Sequence, residues 1–271
     1  MNAQEPDLVD RSLAQLHAAA SEFAVAVNEA VARQSDGIHP YPLAGGALHR
    51  LGADTVAFHE AVLALCATGW VACSAPLLRT LLDLLLSTAI IVERAHEAEM
   101  RGFRCTHYFL KAMLSEGDAD AQRSNRQQIE AGLARLVGDD RERGRRFIFN
   151  DRLPPYWYAP DYYHRPQEAA DALLVPELAS YYARLSSAAH GGFFGLGLFR
   201  DQPDTIHPNQ RSDPHSQALA ILTSTRVLLE QVRARDQFES GGRFQKVYEE
   251  LLARLVETGR AWHPSQRGGQ R

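Results

Sequence analysis

APLLRTLLDLLLSTAIIVE, residues 75–93, decides the fold. Only Arg79 and Asp83 are charged between Ala75 and Val92. Its leucines and isoleucines fall at helical intervals, Pro76 occupies a first turn where its missing N–H costs nothing, and Ser74 stands before it as a candidate N-cap. The stretch predicts a buried helix over 74–92. The uncharged run 61–78 just before it is rich in Ala, Gly, Thr, Cys and Ser, and ends against Pro76 and Arg79. A membrane-spanning helix needs about 20 strongly apolar residues. The run therefore reads as two buried helices that meet near residues 69–74.

Outward from there, nearly every long segment keeps the same period. Helices are expected over 7–34, 48–68, 97–114 and 118–137, then over 166–174 and 176–190 as one helix bent at Pro176, and finally over 214–238 and 242–261. SDGIHPYPLAGG, residues 35–46, reads as a turn. No alternating Val/Ile/Thr-rich run marks a strand, and no repeat of fixed period recurs. The fold class is all-α: one bundle domain of roughly eight helices over 1–262, followed by a disordered tail at 263–271. The helix over 7–34 is available as a packing or dimer arm.

Composition narrows the function classes. The chain has 271 residues, 45% of them hydrophobic, and a net charge of −4. It can bury a sizeable core, and it gives no global signal for DNA or for an anionic membrane. Its three cysteines, Cys66, Cys73 and Cys105, form no C-x-x-C pair. Free thiols of this kind, with no basic and apolar leader at the N-terminus, point to a cytoplasmic, reducing location.

Two loops interrupt the helices. RRFIFNDRLPPYWYAPDYYHRP, residues 145–166, holds seven aromatics between Phe147 and Tyr163, and GGFFGLGLFRDQPDTIHPNQRSDP comes after His190. Both flank the segment 166–190, which makes that segment the natural centre of a site. Within it, Ser186 and His190 are four apart and share a helix face, with Tyr182 one turn further back. Arg184 is six residues from His190, roughly 120° around the helix. A bend, a loop or a second subunit must bring the two together if they cooperate. Arg79 and Asp83 are also four apart. Charges in so apolar a stretch pair internally, or orient a partner such as His190, or hold an anion.

The segments APLLRTLLDLLLSTAIIVE, RGFRCTHYFLKAM and YYARLSSAAHGG, with the isolated Trp157, resemble an uncharacterised, mostly bacterial family of helical proteins placed near the HEPN-like bundles. Its members carry an R-x-x-x-D/E helix and a later S-x-x-x-H helix. Those positions are Arg79, Asp83, Ser186 and His190 here, and the similarity covers about residues 48–192. The resemblance implies a HEPN-like fold. HEPN ribonucleases share an R-x(4–6)-H motif, which Arg184 and His190 match in spacing. That resemblance implies a homodimeric, metal-independent endoribonuclease of the toxin or phage-defence kind, acting on RNA. His190 would move the proton of the ribose 2′-hydroxyl and Arg184 would stabilise charge on the phosphate. The chain departs from the pattern of active members at Leu185, where they carry a polar residue.

A second reading stands beside this one. His190 precedes Gly191-Gly192, a helix C-cap signal, and a histidine in a last turn complements the helix dipole. Arg79, Asp83, Ser186 and His190, with Tyr182 nearby, would then form a buried polar network in a non-catalytic binding or scaffold protein. Other motifs carry less. Glu93-x-x-His96 is half of a di-iron signature without its second copy. DDRERGRRF, residues 139–147, with the aromatics behind it offers arginine contacts and stacking to single-stranded RNA, but its carboxylates nearly cancel its arginines and it reads rather as a solvated turn. No P-loop, dinucleotide fingerprint or nucleophile elbow is present, so no cofactor and no metal is expected.

Overall fold

The computed structural model describes residues 41–115, 118–150, 152–159, 161–189 and 214–262, with the isolated positions 14, 15, 18 and 22. Among the described residues the chain is all-α, with nine α-helices and no strand. They are α1 (Pro42–Ala67), α2 (Ala75–Val92), α3 (Ala98–Ala112), α4 (Ala119–Arg135), α5 (Gly138–Phe149), α6 (Pro166–Leu173), α7 (Pro176–Ala189), α8 (Pro214–Ser240) and α9 (Gln245–Trp262).

α2 is the central helix. Leu78, Leu81, Leu82, Leu85, Leu86, Ile90 and Ile91 are buried and recur at helical spacing around it. Each such side chain contributes about 1.5–3 kcal/mol on leaving water. They face α1, α7 and α8, which pack on α2 from different sides. By length and composition α2 could cross a membrane, yet half of it is buried inside the protein. The run 61–78 divides as expected: Gly69 takes a left-handed φ of 82° between α1 and a short 3-10 turn, Val71–Ser74. A second core joins α3, α4 and α5 around Phe103, Ile129, Leu133 and Phe147, and a third joins α8 to α9 around Leu229, Val232 and Tyr248.

The structure corrects the sequence reading at four points. First, α1 starts at Pro42, so Gly45 and Gly46 lie inside a helix and not in a turn. Its start is closed from a distance: the Glu99 carboxylate on α3 accepts from the backbone N–H groups of Leu43 (2.9 Å) and Ala44 (3.0 Å). Gly102, one turn further along α3, lets the two helices meet, because a Cβ there would lie 2.5 Å from the Ala44 Cα. Second, Ser74 precedes α2 but gives no side-chain cap. The 3-10 turn already holds it at φ −79°, ψ −16°, and its hydroxyl donates to the Val71 carbonyl at 2.6 Å.

Third, residues 138–149 are a helix. The charges of this segment sit at helical spacing and do not merely cancel. Asp139 and Asp140 fall in the first turn, where the dipole favours them, and Arg143 pairs with Asp140 at 2.9 Å. Arg141 donates to the carbonyls of Leu133, Ala134 and Leu136, and so closes the end of α4. Fourth, α6 and α7 are separate helices, with Leu174 extended (ψ 155°) between them ahead of Pro176. The expected helix over 7–34 and its dimer arm lie outside the described residues, apart from helical positions 14, 15, 18 and 22. So do His190, the loop after it and the tail at 263–271.

Candidate functional site

α2 and α7 cross so that two i,i+4 pairs meet. α2 presents Arg79 and Asp83, and α7 presents Tyr182 and Ser186. Tyr182 joins them. Its ring is buried, and the Arg79 guanidinium carbon lies 3.7 Å from the ring centroid. Its hydroxyl accepts from Arg79 Nη2 at 2.5 Å and donates to Asp83 Oδ1 at 2.8 Å. Arg79 also pairs directly with Asp83. The Arg79 side chain is 12% exposed and that of Asp83 is 51% exposed, so the network reaches solvent on its aspartate side. It is therefore less buried than the sequence reading of an internal network supposed.

These residues form part of one wall of a cleft of about 950 Å³. Arg79, Asp83, Tyr182 and Ser186 all line it. α1 contributes Arg50 and Asp54, α3 contributes Cys105 and Tyr108, and the segment between α5 and α6 contributes Tyr156, Trp157 and Tyr158. That aromatic segment is held in place from both sides. The Tyr108 hydroxyl donates to the Pro154 carbonyl at 2.8 Å, and Trp157 Nε1 donates to Ser87 Oγ at 3.3 Å. Trp157 and Tyr158 are themselves buried, so the segment is at once core cover and cleft wall.

The electrostatics limit the chemistry. Burial pushes the Tyr182 phenol well above its ordinary value. The Asp83 charge and hydrogen bond add to the rise, and the Arg79 charge opposes it. Tyr158 is raised by burial and then by Asp83. Both phenols stay protonated, and serve as hydrogen-bonding groups rather than nucleophiles or bases. Burial also pushes the Cys105 thiol up to about 12, against a weaker opposite pull from Arg50. A thiolate is not available there at neutral pH.

Arg184 is exposed on α7 and does not line the cleft. It lines a shallow depression of about 460 Å³ with Gln167, Asp171 and Ser180, between α6 and α7. Leu185, beside it, is buried in the core. His190 comes directly after the last residue of α7 and lies outside the described residues. Glu93 of the half di-iron signature pairs with Arg101 at 2.8 Å, and no group of three potential ligands for a metal occurs among the described residues.

Sequence reasoning did not single out Arg50 and Asp54, although they repeat the Arg–Asp i,i+4 spacing of α2. That spacing was the one available signal. In comparisons with known proteins, no family model, no curated protein and no solved structure matches the chain.

Proposed function

We propose that the chain is a binding protein whose cleft between α1, α2, α3 and α7 takes a small amphipathic anion with an aromatic or other apolar body. The observation that carries this reading is the Arg79–Tyr182–Asp83 network set into a cleft walled by Trp157, Tyr158 and Tyr156. Ligand sites combine an apolar concave surface with a few placed polar groups, and about 300–1,000 Å³ is their usual size. Arg50, Arg79 and Arg165 outnumber Asp54 and Asp83 on the lining, Ser186 and Tyr182 supply hydroxyls, and the aromatic wall supplies contact area. Burial holds the phenols of Tyr108, Tyr158 and Tyr182 and the thiol of Cys105 toward the neutral form, which suits them to contact and hydrogen bonding. A cytoplasmic location fits the free cysteines and belongs to the same proposal.

The test is a fluorescence titration with 8-anilinonaphthalene-1-sulfonate, an aromatic anion. Saturable binding is expected in the wild type, with strong weakening in Thr80→Trp, since Thr80 of α2 also lines the cleft and an indole there fills it. Equal binding by both proteins would contradict the proposal.

A second reading keeps the nuclease expectation. It is supported by Arg184, which is solvent-exposed on a helix ending one residue before His190. It requires a homodimer with Arg184 and His190 of both copies in one cleft and RNA as substrate. Cleavage of labelled mixed-sequence RNA in excess chelator, lost in both His190→Ala and Arg184→Ala, would establish it. No cleavage by the folded wild type would remove it.

A further inference from the structure

The aromatic segment that walls the cleft also walls a second cavity, of about 770 Å³, with Pro155 common to both. Among the described residues its lining holds five cationic side chains, Arg104, Lys111, Arg143, Arg146 and Arg152, and one carboxylate, Asp161. This runs against the balance of a chain whose net charge is −4.

The cations are not equally engaged. Lys111 Nζ donates to the carbonyls of Phe147 (2.6 Å), Asn150 (2.9 Å) and Arg152 (3.3 Å), and so ties down the end of α5. Arg143 is paired with Asp140 at 2.9 Å and Glu97 at 3.6 Å. Arg104 differs. Its side chain is only 6% exposed, and Nη2 donates to Asp161, but Nε and Nη1 have no hydrogen-bond partner. The guanidinium lies over the rings of Phe147 (4.8 Å) and Tyr162 (5.3 Å). Ring faces return part of the cost of desolvating a cation. Two unpartnered nitrogens, which carry three N–H donors, remain expensive in a buried guanidinium. Arg146 and Arg152, also on the lining, are exposed.

We infer that this cavity binds the phosphate group of a small phosphorylated molecule, with Arg104 at its base and Arg146 and Arg152 at its rim. A guanidinium fork suits phosphate oxygens, and a dianion gains from several cations at once while tolerating the one nearby carboxylate of Asp161. The cavity is larger than a phosphate alone, so it has room for an organic body against Phe147, Pro154 and Pro155. The inference stands apart from the cleft and does not rest on the proposed function.

The experiment is calorimetric titration of the full chain with pyrophosphate at low ionic strength. One pyrophosphate per chain is expected. Binding should weaken about tenfold or more in Arg146→Gln/Arg152→Gln, since each lost charge-assisted contact is a strong one. It should vanish in Arg104→Gln and stay at the wild-type level in Arg126→Gln, an exposed arginine on α4 outside the cavity lining. Because Arg104 is buried, the exposed double variant decides the matter if Arg104→Gln does not fold. No saturable uptake by the wild type, or undiminished uptake by the folded double variant, would overturn the inference. So would tight binding of a single-stranded oligonucleotide that pyrophosphate does not displace.

Discussion

Tyr182 is where one hydroxyl bridges two opposite charges on another helix that also pair directly with each other. Removing it leaves Arg79 and Asp83 each short of a partner while the ring still fills its place in the core. Tyr182→Phe is expected to lower stability by about 1–3 kcal/mol in urea unfolding, whereas Tyr156→Phe, at a ring 39% exposed, changes it little. Equal effects would count against the network. His107 gives a second test at this scale. Its Nδ1–H donates to the Phe103 carbonyl at 2.8 Å, and burial holds its pKa below the ordinary histidine value. The charges of Arg50 and Arg135 push the same way, and backbone acceptors oppose them. Between that depressed value and about 6.5 the unfolded chain binds more protons than the folded one, so stability falls as pH drops through this window. The acid side of the melting-temperature profile should flatten in His107→Gln. An unchanged profile would show that other groups set it.

Among the described residues, side chains of other helices hold several helix ends: Glu99 the start of α1, Arg141 the end of α4 and Lys111 the end of α5. The Glu99 carboxylate closes the start of α1 from α3, across more than fifty residues of chain. Glu99→Ala should therefore cost about 1–2 kcal/mol and release amide exchange at Leu43 and Ala44 before the rest of α1. Protection that persists at those amides would contradict the cap. The same fact explains which parts of the fold were legible in the sequence. α2 is readable because its apolar period is strong and Pro76 marks its first turn; in α7 the period and Pro176 are readable, but the break that separates it from α6 is not. The start of α1 is not, because its cap comes from another helix and its Gly45-Gly46 pair imitates a turn. Residues 138–149 are not either: a short helix with little apolar surface takes its stability from Phe147 and Ile148 packing on Phe103 and Leu133, which only the tertiary structure supplies.

At the scale of the molecule, α2 joins core to cleft. Its apolar face holds α1, α7 and α8 together, and its polar pair looks into the cleft that it shares with α1, α3 and α7. Spacing alone places Arg79 with Asp83 and Tyr182 with Ser186. It does not reveal the other walls of the cleft, because Arg50, Tyr108 and Trp157 reach it through helix packing at large sequence separation. Nor does spacing bring Arg184 into the cleft, since it turns to the outer side of α7 while Leu185 enters the core. Whether this cleft is the binding site is tested most directly by the indole N–H resonances of Trp70 and Trp157, recorded while 8-anilinonaphthalene-1-sulfonate is added to the full chain. Binding in the cleft predicts that the Trp157 resonance moves to saturation while that of Trp70 stays in place. A stationary Trp157 with a shifting Trp70, or with no shift anywhere, would contradict it.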